Sequence, residues 1–322
     1  MTGGLFGRAE RWARRHPLRV GDTRLTLLAI RFVRSFVGVR VMGLAAEMTY
    51  YALLSVFPLI GALGASLGFL ERVVGPAAVL GVEAAVVGSL DAVFSREVTA
   101  EVVAPMVRGL LQQERTGFAV GGFLVSLFLA SRVFRSAIHT LDQAYRVEEG
   151  RGIVALWTLG FLFALGAIVT ATVVLAMVVV GPLLGGGRAI ADGLGLGGVF
   201  ETAWAIARWP TVFVIATGFL AVLYRVGPNV RNTWRQSFPG ALFGMVTLVL
   251  VAVGFRVYLE FTGVASPVIR DADAAVAVGA QVVGALLAAL LWLWLSGIAV
   301  LAGGVFNAEL SREHHDEPPR QV

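Results

Sequence analysis

Charged and polar side chains inside long apolar segments are the groups of this chain that could recognise a ligand, because such groups are costly in a membrane. Four of them fit one arrangement: Arg208, Arg256, Glu260 and Gln281. Arg256 and Glu260 are four residues apart and would be neighbours on one helical face. An arginine there can hold a phosphate or carboxylate headgroup through its planar set of donors. We predict that the four residues line an outward-facing polar vestibule; the alternative is a structural ion-pair cluster that ties helices together.

A second polar group lies toward the other ends of the apolar segments. Glu47 is the one charged residue in the apolar part of segment 41–69. Arg132 and Arg135 lie at a comparable depth in another segment, so Glu47 could pair with either of them across two helices. The alternative is that the arginines extend to the lipid headgroups and that Glu47 is hydrated. Glu309, at the end of the last apolar segment, is a further cytoplasmic-side candidate.

Groups that perform enzyme chemistry are sparse. The chain has no cysteine, and therefore no thiolate nucleophile and no cysteine-bound metal. Ser55 has no nearby histidine and no Gly-x-Ser-x-Gly context, and the sequence shows no phosphate-cradling loop. The histidines stand at no metal-ligand spacing; they are His16, His139, His314 and His315. We predict a protein that is not an enzyme, with no catalytic residues, no cofactor and no metal.

The composition indicates that most of the chain lies in a membrane. Its 322 residues are 57% apolar and 15% charged, whereas soluble domains carry about 25% charged residues. All 26 basic residues are arginine, which in a soluble protein would suggest nucleic acid. Here the arginines cluster in the short loops of one side, which the positive-inside rule explains without a nucleic-acid partner. We expect anionic lipid headgroups at the cytoplasmic face to be their partners.

Six apolar runs are long enough to cross a bilayer, which takes about 20 residues of helix. The predicted fold class is therefore all-α, a polytopic membrane protein with six transmembrane helices in a membrane domain 41–310. The predicted spans are 41–69, 117–137, 153–182, 203–224, 238–262 and 277–306.

Three further segments complete the predicted organisation. Residues 1–40 form a basic cytoplasmic segment, and its part 24–40 has apolar residues at helical spacing, which predicts an amphipathic helix on the membrane surface. Residues 75–115 predict a helical cap on the outer side. Residues 311–322 predict a polar, disordered cytoplasmic tail.

Charge counts in the connecting segments predict the orientation. Residues 1–40 hold nine arginines against two acids, 131–152 hold four against three, and 225–237 hold three against none. The alternate segments are net acidic; residues 70–116, for example, hold four arginines against six acids. Because arginine-rich loops stay in the cytoplasm, we predict that both termini are cytoplasmic.

Three separated stretches resemble motifs of the YihY/BrkB family of membrane proteins. Residues 51–58 are similar to the first-helix motif Tyr-x-Leu-Leu-Ser followed by proline. Residues 224–229 leading to 238–241 resemble a second motif, and 303–310 resemble the Gly-Ala-Glu-Leu ending, with an insertion relative to the strict form. The positions that carry the resemblance are Tyr51, Leu53, Leu54, Ser55, Pro58, Gly227, Pro228, Pro239 and Gly240.

The resemblance spans about residues 30–312 and implies a multi-pass protein of the bacterial inner membrane. The family was once labelled ribonuclease BN, a label widely regarded as a misassignment, and one branch is linked to virulence. We predict a transporter or exporter of a lipid or other amphiphilic envelope molecule, through a cavity between kinked helices such as the one that contains Pro58. The alternative is a non-catalytic scaffold for envelope or virulence functions; a membrane-bound ribonuclease is the least favoured interpretation. A homo-oligomer is compatible with the sequence.

Overall fold

The computed structural model describes most of the predicted membrane domain. The described residues are 19–20, 23–74, 116–175, 177–178, 197–262 and 274–315. The predicted outer cap, 75–115, lies outside them, and so do residues 316–322 of the predicted tail.

Within the described residues the chain is helical except for one short antiparallel strand pair, β1 (Arg19–Val20) with β2 (Thr23–Arg24). The helices are α1 (Leu25–Gly38), α2 (Val41–Val74), α3 (Thr116–Tyr145), α4 (Ile153–Leu175), α5 (Gly197–Val226), α6 (Trp234–Thr262) and α7 (Ala274–His315). Helices α2 to α7 each contain a segment long and apolar enough to cross a membrane. The predicted all-α fold with six candidate membrane spans is confirmed.

The chain divides into two compact units. The first unit contains residues 1–45, 134–249 and 297–322, and the second contains 46–133 and 250–296.

The end of α7 differs from the prediction of a disordered tail that starts at Ser311. Helix α7 continues through His315. Arg312 pairs with Glu309 at 2.6 Å and donates a second hydrogen bond to the Ala144 carbonyl oxygen at the end of α3. The last turn of α7 is polar but remains helical, because Arg312 bonds it to the end of α3.

Two arginines in the left-handed backbone conformation mark the ends of α1 and α3. Arg40 has φ 60° and Arg146 has φ 57°. After α3, the N–H groups of Arg146 and Val147 donate to the carbonyl oxygens of Gln143 and Asp142. This is the Schellman arrangement, which ends a helix through one left-handed residue. It starts the short loop 146–152 that connects α3 to α4.

Helices α6 and α7 approach each other through glycines in the first unit. A Cβ atom at Gly303 would lie 2.8 Å from the carbonyl oxygen of Gly240 and 2.8 Å from the Cα of Gly244. Both are backbone atoms, which cannot rotate away. Small residues at such contacts allow two helix backbones to come close.

Apolar packing around this contact holds the other helices of the first unit. The rings of Phe134, Phe163 and Phe219, from α3, α4 and α5, lie with their centroids 5.9 to 6.4 Å apart. Ile138 and Leu141 of α3 are buried in the same cluster. One pair is stacked and two are edge-to-face, and such aromatic contacts add to the stabilisation that burial gives.

Helix α1 is amphipathic, and its apolar face packs on protein. Leu27 and Leu28 are buried. The ring of Phe32 lies edge-on against Phe243 of α6 and Phe306 of α7. The apolar side of α1 is therefore held by the helices beneath it.

In the second unit, α2 and α3 pack at the proline of α2. Pro58 lies inside α2. Gly122 of α3 packs against its carbonyl oxygen so closely that a Cβ atom at position 122 would lie only 2.9 Å from that oxygen. Proline disturbs the helical hydrogen bonds of the preceding turn. The Ser126 hydroxyl donates to the Ser55 carbonyl oxygen in that turn at 2.9 Å, which is how neighbouring helices satisfy such groups in membranes.

Substitution of Gly303 tests the contact of α6 with α7. We expect Gly303→Ala to destabilise the purified protein by about 1–3 kcal/mol, because the added methyl group forces the two backbones apart. Gly218→Ala is the matched control: it places a methyl group on α5 where nothing lies within 4 Å, and alanine favours helix by up to about 1 kcal/mol. Thermal unfolding in detergent measures both. Equal melting temperatures would contradict the role assigned to Gly303.

Candidate functional site

The first unit contains a buried polar core, formed by Tyr145, Tyr224, Gly240, Val300 and Asn307. Tyr224 is fully buried, and its hydroxyl donates to the Val300 carbonyl oxygen. Asn307 is also fully buried. Its side-chain oxygen accepts the N–H of Gly240 at 3.1 Å, and its amide donates to the Tyr145 hydroxyl at 2.6 Å. Residues from four helices are thus joined by hydrogen bonds that satisfy buried polar groups.

Glycine is required at position 240 of this polar core. A Cβ atom there would overlap the side chain of Asn307. Without it, the Asn307 amide group reaches the backbone of α6 directly. Pro239 precedes this point inside α6, so the proline and glycine of the second motif lie where α6 meets α7.

A second polar group, the loop latch, fastens loop 146–152 to the loop after α5. It consists of Asp142, Glu149, Arg151, Gly227 and Asn229. Nε and Nη2 of Arg151 donate to the two oxygens of Glu149, each at 2.7 Å. Nη2 also donates to the Gly227 carbonyl oxygen at 2.7 Å. The Asn229 N–H donates to Oδ1 of Asp142 at 2.7 Å.

Electrostatics favour the charged forms of the pair in the loop latch. Hydrogen bonds from Arg151 hold the pKa of Glu149 below its ordinary value. The same contact with the Glu149 carboxylate raises the pKa of Arg151. Each side chain is 21% exposed, so water screens the pair only in part. A two-pronged contact of arginine with carboxylate is among the stronger polar contacts of proteins.

Glu309, a predicted candidate, lies in a structural ion pair. Its side chain is buried and accepts from Arg312 at 2.6 Å. Arg312 also donates to the Ala144 carbonyl oxygen. The arrangement ties the end of α7 to the end of α3.

Each predicted cytoplasmic-side arginine lies over an aromatic ring. The guanidinium carbon of Arg132 is 4.8 Å from the ring centre of Tyr51 in the second unit. That of Arg135 is 3.9 Å from the Trp157 ring centre in the first unit. Such cation–π contacts are worth about 0.5–2 kcal/mol. The Glu47 side chain is exposed, and its pairing with an arginine stays a prediction.

Arg256 and Glu260 border an open apolar recess in the second unit. Nε of Arg256 is 3.1 Å from Oε1 of Glu260. The side chains are 82% and 65% exposed, respectively. The rest of the recess is lined by Ala252, Phe255, Leu259 and Trp292. It therefore offers an apolar wall with an exchangeable arginine at its edge.

The other two residues of the predicted vestibule are described differently. Arg208 belongs to the first unit, where its guanidinium carbon lies 5.5 Å from the ring centre of Trp209. The side chain of Gln281 lies outside the part of the chain that the structure describes. Only Arg256 and Glu260 of the four residues are therefore placed together.

The residues that carry the family resemblance lie in both units. In the first unit Gly227 and Pro228 are buried in the loop after α5. In α6, Pro239 is half-buried and Gly240, the next residue, is buried. In the second unit all five lie half-buried along α2; they are Tyr51, Leu53, Leu54, Ser55 and Pro58. Gly227, Gly240 and Pro58 lie at contacts between loops or helices.

Sequence reasoning missed the side chains that link the motifs. Asn307 could have been found, because it is a polar residue within an apolar stretch and must bond a partner when buried. Asn229 lies within the motif at residues 224–229. Asp142 and Tyr145 carry no local signal, since the partners Asn229 and Asn307 lie far away in the sequence. Arg151 has a local partner in Glu149, but its contact with Gly227 is equally distant in the sequence.

The described residues contain no group of three or more histidine, aspartate or glutamate side chains that could hold a metal ion. The buried acids Asp142 and Glu309 each have an arginine beside them.

Comparison with known proteins finds one family and distant relatives. A family model described as "Virulence factor BrkB" matches residues 32–321. The putative ribonuclease-like protein YfkH of Bacillus subtilis is 25% identical over 277 residues, 85% of this chain and 92% of that protein. A UPF0761 membrane protein of Pseudoalteromonas translucida is 25% identical over 209 residues, 62% of this chain and 60% of that protein. No solved structure matches the chain.

Removal of the Asn307 side chain tests the polar core. We expect Asn307→Ala to lower the free energy of unfolding by about 2–5 kcal/mol, because the Gly240 N–H and the Tyr145 hydroxyl each lose a partner. Thr158→Ala is the control, since the Thr158 hydroxyl is exposed and bonds only within α4. Urea or thermal unfolding in detergent compares the two. A loss no larger than that of the control would show that the polar core does not stabilise the fold.

Acid titration tests the pair in the loop latch. Because the pKa of Glu149 is lowered from 4.5, the pair stabilises the fold above that pH, and the contribution is lost as the pH falls further. We expect Glu149→Gln to melt about 2–4 °C lower than wild type at neutral pH and to lose less on acidification. Glu148→Gln, at the exposed neighbouring position, should match wild type. Identical acid profiles for wild type and Glu149→Gln would rule out this contribution.

Proposed function

The chain belongs to the BrkB family of membrane proteins, and we propose that it moves a lipid or another amphiphilic envelope molecule across the bacterial inner membrane. The observation that carries the proposal is the recess beside Arg256 and Glu260. It combines an apolar lining with a charged edge. An amphiphile presents the same two features, an apolar chain and a polar head.

The apolar wall suits a hydrocarbon chain. Phe255 and Trp292, whose ring centroids are 5.3 Å apart, form its aromatic part. Leu259 and Ala252 complete it with aliphatic side chains. An acyl chain that enters would cover these groups, and covering apolar surface is what stabilises most ligands in their sites.

The charged edge suits an anionic headgroup. Exposed ion pairs contribute only about 0–1 kcal/mol, so a phosphate or carboxylate can replace Glu260 as the partner of Arg256 at little cost. Glu260 then remains close enough to take Arg256 back when the ligand leaves. A site that exchanges its partner easily is suited to a molecule in transit.

We propose the orientation that the loop charges predict, with both termini in the cytoplasm. In that orientation the end of α6 that carries Arg256 and Glu260 faces outward. Arg208 and Gln281 remain proposed ligand-binding residues. Anionic lipid headgroups remain the proposed partners of the arginine-rich loops on the cytoplasmic side.

A scaffold without transport activity is the second candidate. The close glycine contact of α6 with α7 and the hydrogen-bonded polar core favour it, since they pack these helices tightly in the first unit. It predicts stable co-purifying partners and no movement of lipid. The ribonuclease-like name belongs to the Bacillus relative, and we propose no nuclease activity for this chain.

Transbilayer movement of a labelled lipid tests the transport proposal. We expect the purified protein, reconstituted in vesicles of phosphatidylethanolamine and phosphatidylglycerol, to accelerate exchange of fluorescent phosphatidylglycerol between leaflets. Dithionite quenching of the outer leaflet measures the exchange. Arg256→Ala should slow it by about two- to fivefold, because an exposed charged contact of about 0.5–1 kcal/mol is lost.

Thr158→Ala is the control, since the Thr158 hydroxyl is exposed and donates within α4. It should exchange lipid at the wild-type rate. Lipid exchange at the wild-type rate in Arg256→Ala would show that the recess is not the transport site. Wild-type protein no faster than empty vesicles, with a defined partner recovered by co-purification, would favour the scaffold.

A further inference from the structure

Asp142 of the loop latch has one oxygen with a donor and one without. Its side chain is 4% exposed. Oδ1 accepts the Asn229 N–H at 2.7 Å. Oδ2 is buried and has no hydrogen-bond partner among the described residues. A buried carboxylate oxygen without a donor is strongly unfavourable, so this atom needs an explanation.

Arg151 cannot supply the missing donor. Its Nη2 is the guanidinium atom nearest to Oδ2, at 3.8 Å, which is too far for a hydrogen bond. The nitrogen has two hydrogens, and both are used: one by Oε2 of Glu149 and one by the Gly227 carbonyl oxygen, each at 2.7 Å. Arg151 is therefore fully engaged on the side that faces Asp142.

Glu149 is the other charged group beside Asp142, since Oε2 of Glu149 and Oδ2 of Asp142 lie 2.7 and 3.8 Å from the same nitrogen, Nη2 of Arg151. Two ionised carboxylates can only accept hydrogen bonds, so they repel each other unless a proton lies between them. Glu149 already holds the two-pronged contact with Arg151. That contact keeps Glu149 in its charged form, and the shared proton therefore belongs on Asp142.

We propose that Asp142 is a proton-binding site: in the folded protein Oδ2 carries a proton and donates it to the Glu149 carboxylate. The proton turns the unpaired acceptor Oδ2 into a donor, so this buried atom is then satisfied. Release of the proton to solvent would leave a second negative charge beside Glu149. Asp142 holds the loop after α5 through Asn229, and Glu149 holds the same loop through Arg151 and Gly227. Repulsion between the two carboxylates would therefore loosen the contact of loop 146–152 with the loop after α5.

This inference does not depend on lipid movement, and its tests need no transport assay. Asp142→Asn imitates the protonated acid: its oxygen can accept from Asn229 and its amide can donate to Glu149. We expect this variant to melt within about 2 °C of wild type at pH about 6. Asp142→Ala, which removes both hydrogen bonds, should melt at least about 4 °C lower.

The pH dependence gives the second readout. Because the folded wild type holds one more proton than the unfolded chain, its stability should fall as pH rises from about 6 to 10. Asp142→Asn should fall less over the same range. A wild-type stability that rises more steeply than that of Asp142→Asn would overturn the proposal, since Asp142 would then be ionised in the fold.

Infrared spectroscopy of the full-length protein at pH about 7 observes the proton directly. Wild type should show the carbonyl band of a protonated carboxylic acid that shifts in heavy water, and Asp142→Asn should lack that component. The proposal is overturned if the two spectra show the same acid band. It is equally overturned if Asp142→Asn loses as much stability as Asp142→Ala, because an ionised Asp142 would then be required.

Discussion

The hydroxyl of Tyr224 lies where α5, α6 and α7 meet in the first unit, and the surrounding packing depends on it. Gly244 and Gly303 have no side chain at this point, so the ring can enter and donate to the Val300 carbonyl oxygen. The same close approach lets Asn307 reach the backbone of α6. A shift of one helix by a turn would leave these buried groups without partners, at about 1–3 kcal/mol each. Apolar packing alone would permit several registers; the hydrogen bonds select one.

The loop latch follows from this register. Tyr224 is close to the end of α5, and Gly227 and Asn229 come directly after it. Once the ring is fixed, the loop that carries these two residues is placed beside Asp142 and Arg151. The polar core thus positions a loop contact that its own residues do not touch, and the ends of α3 and α5 are held as one arrangement.

The sequence predicts the helices well because a bilayer demands about 20 apolar residues for each span, and such runs are visible locally. It also identifies the motifs at 224–229, 238–241 and 303–310, which the structure brings to one place. Asp142 and Arg151 could not be found in this way. The residues that they bond in the loop after α5, Asn229 and Gly227, lie more than 70 residues away, and neither Asp142 nor Arg151 breaks an apolar pattern. Depth in the membrane can be read from sequence, whereas the neighbours of a side chain cannot, and the vestibule of Arg208, Arg256, Glu260 and Gln281 therefore stays a prediction.

The charged pairs of this protein differ in solvent exposure, and the exposure of a pair indicates whether it stabilises the fold or can bind a ligand. Glu149 and Arg151 are 21% exposed and hold several further hydrogen bonds, so exchanging either partner would leave buried groups unsatisfied. Arg256 and Glu260 are 82% and 65% exposed and share one contact at 3.1 Å. An incoming phosphate has little to displace there. A ligand with a charged head is therefore expected to bind at the exposed pair, while the buried pairs keep the loops in place.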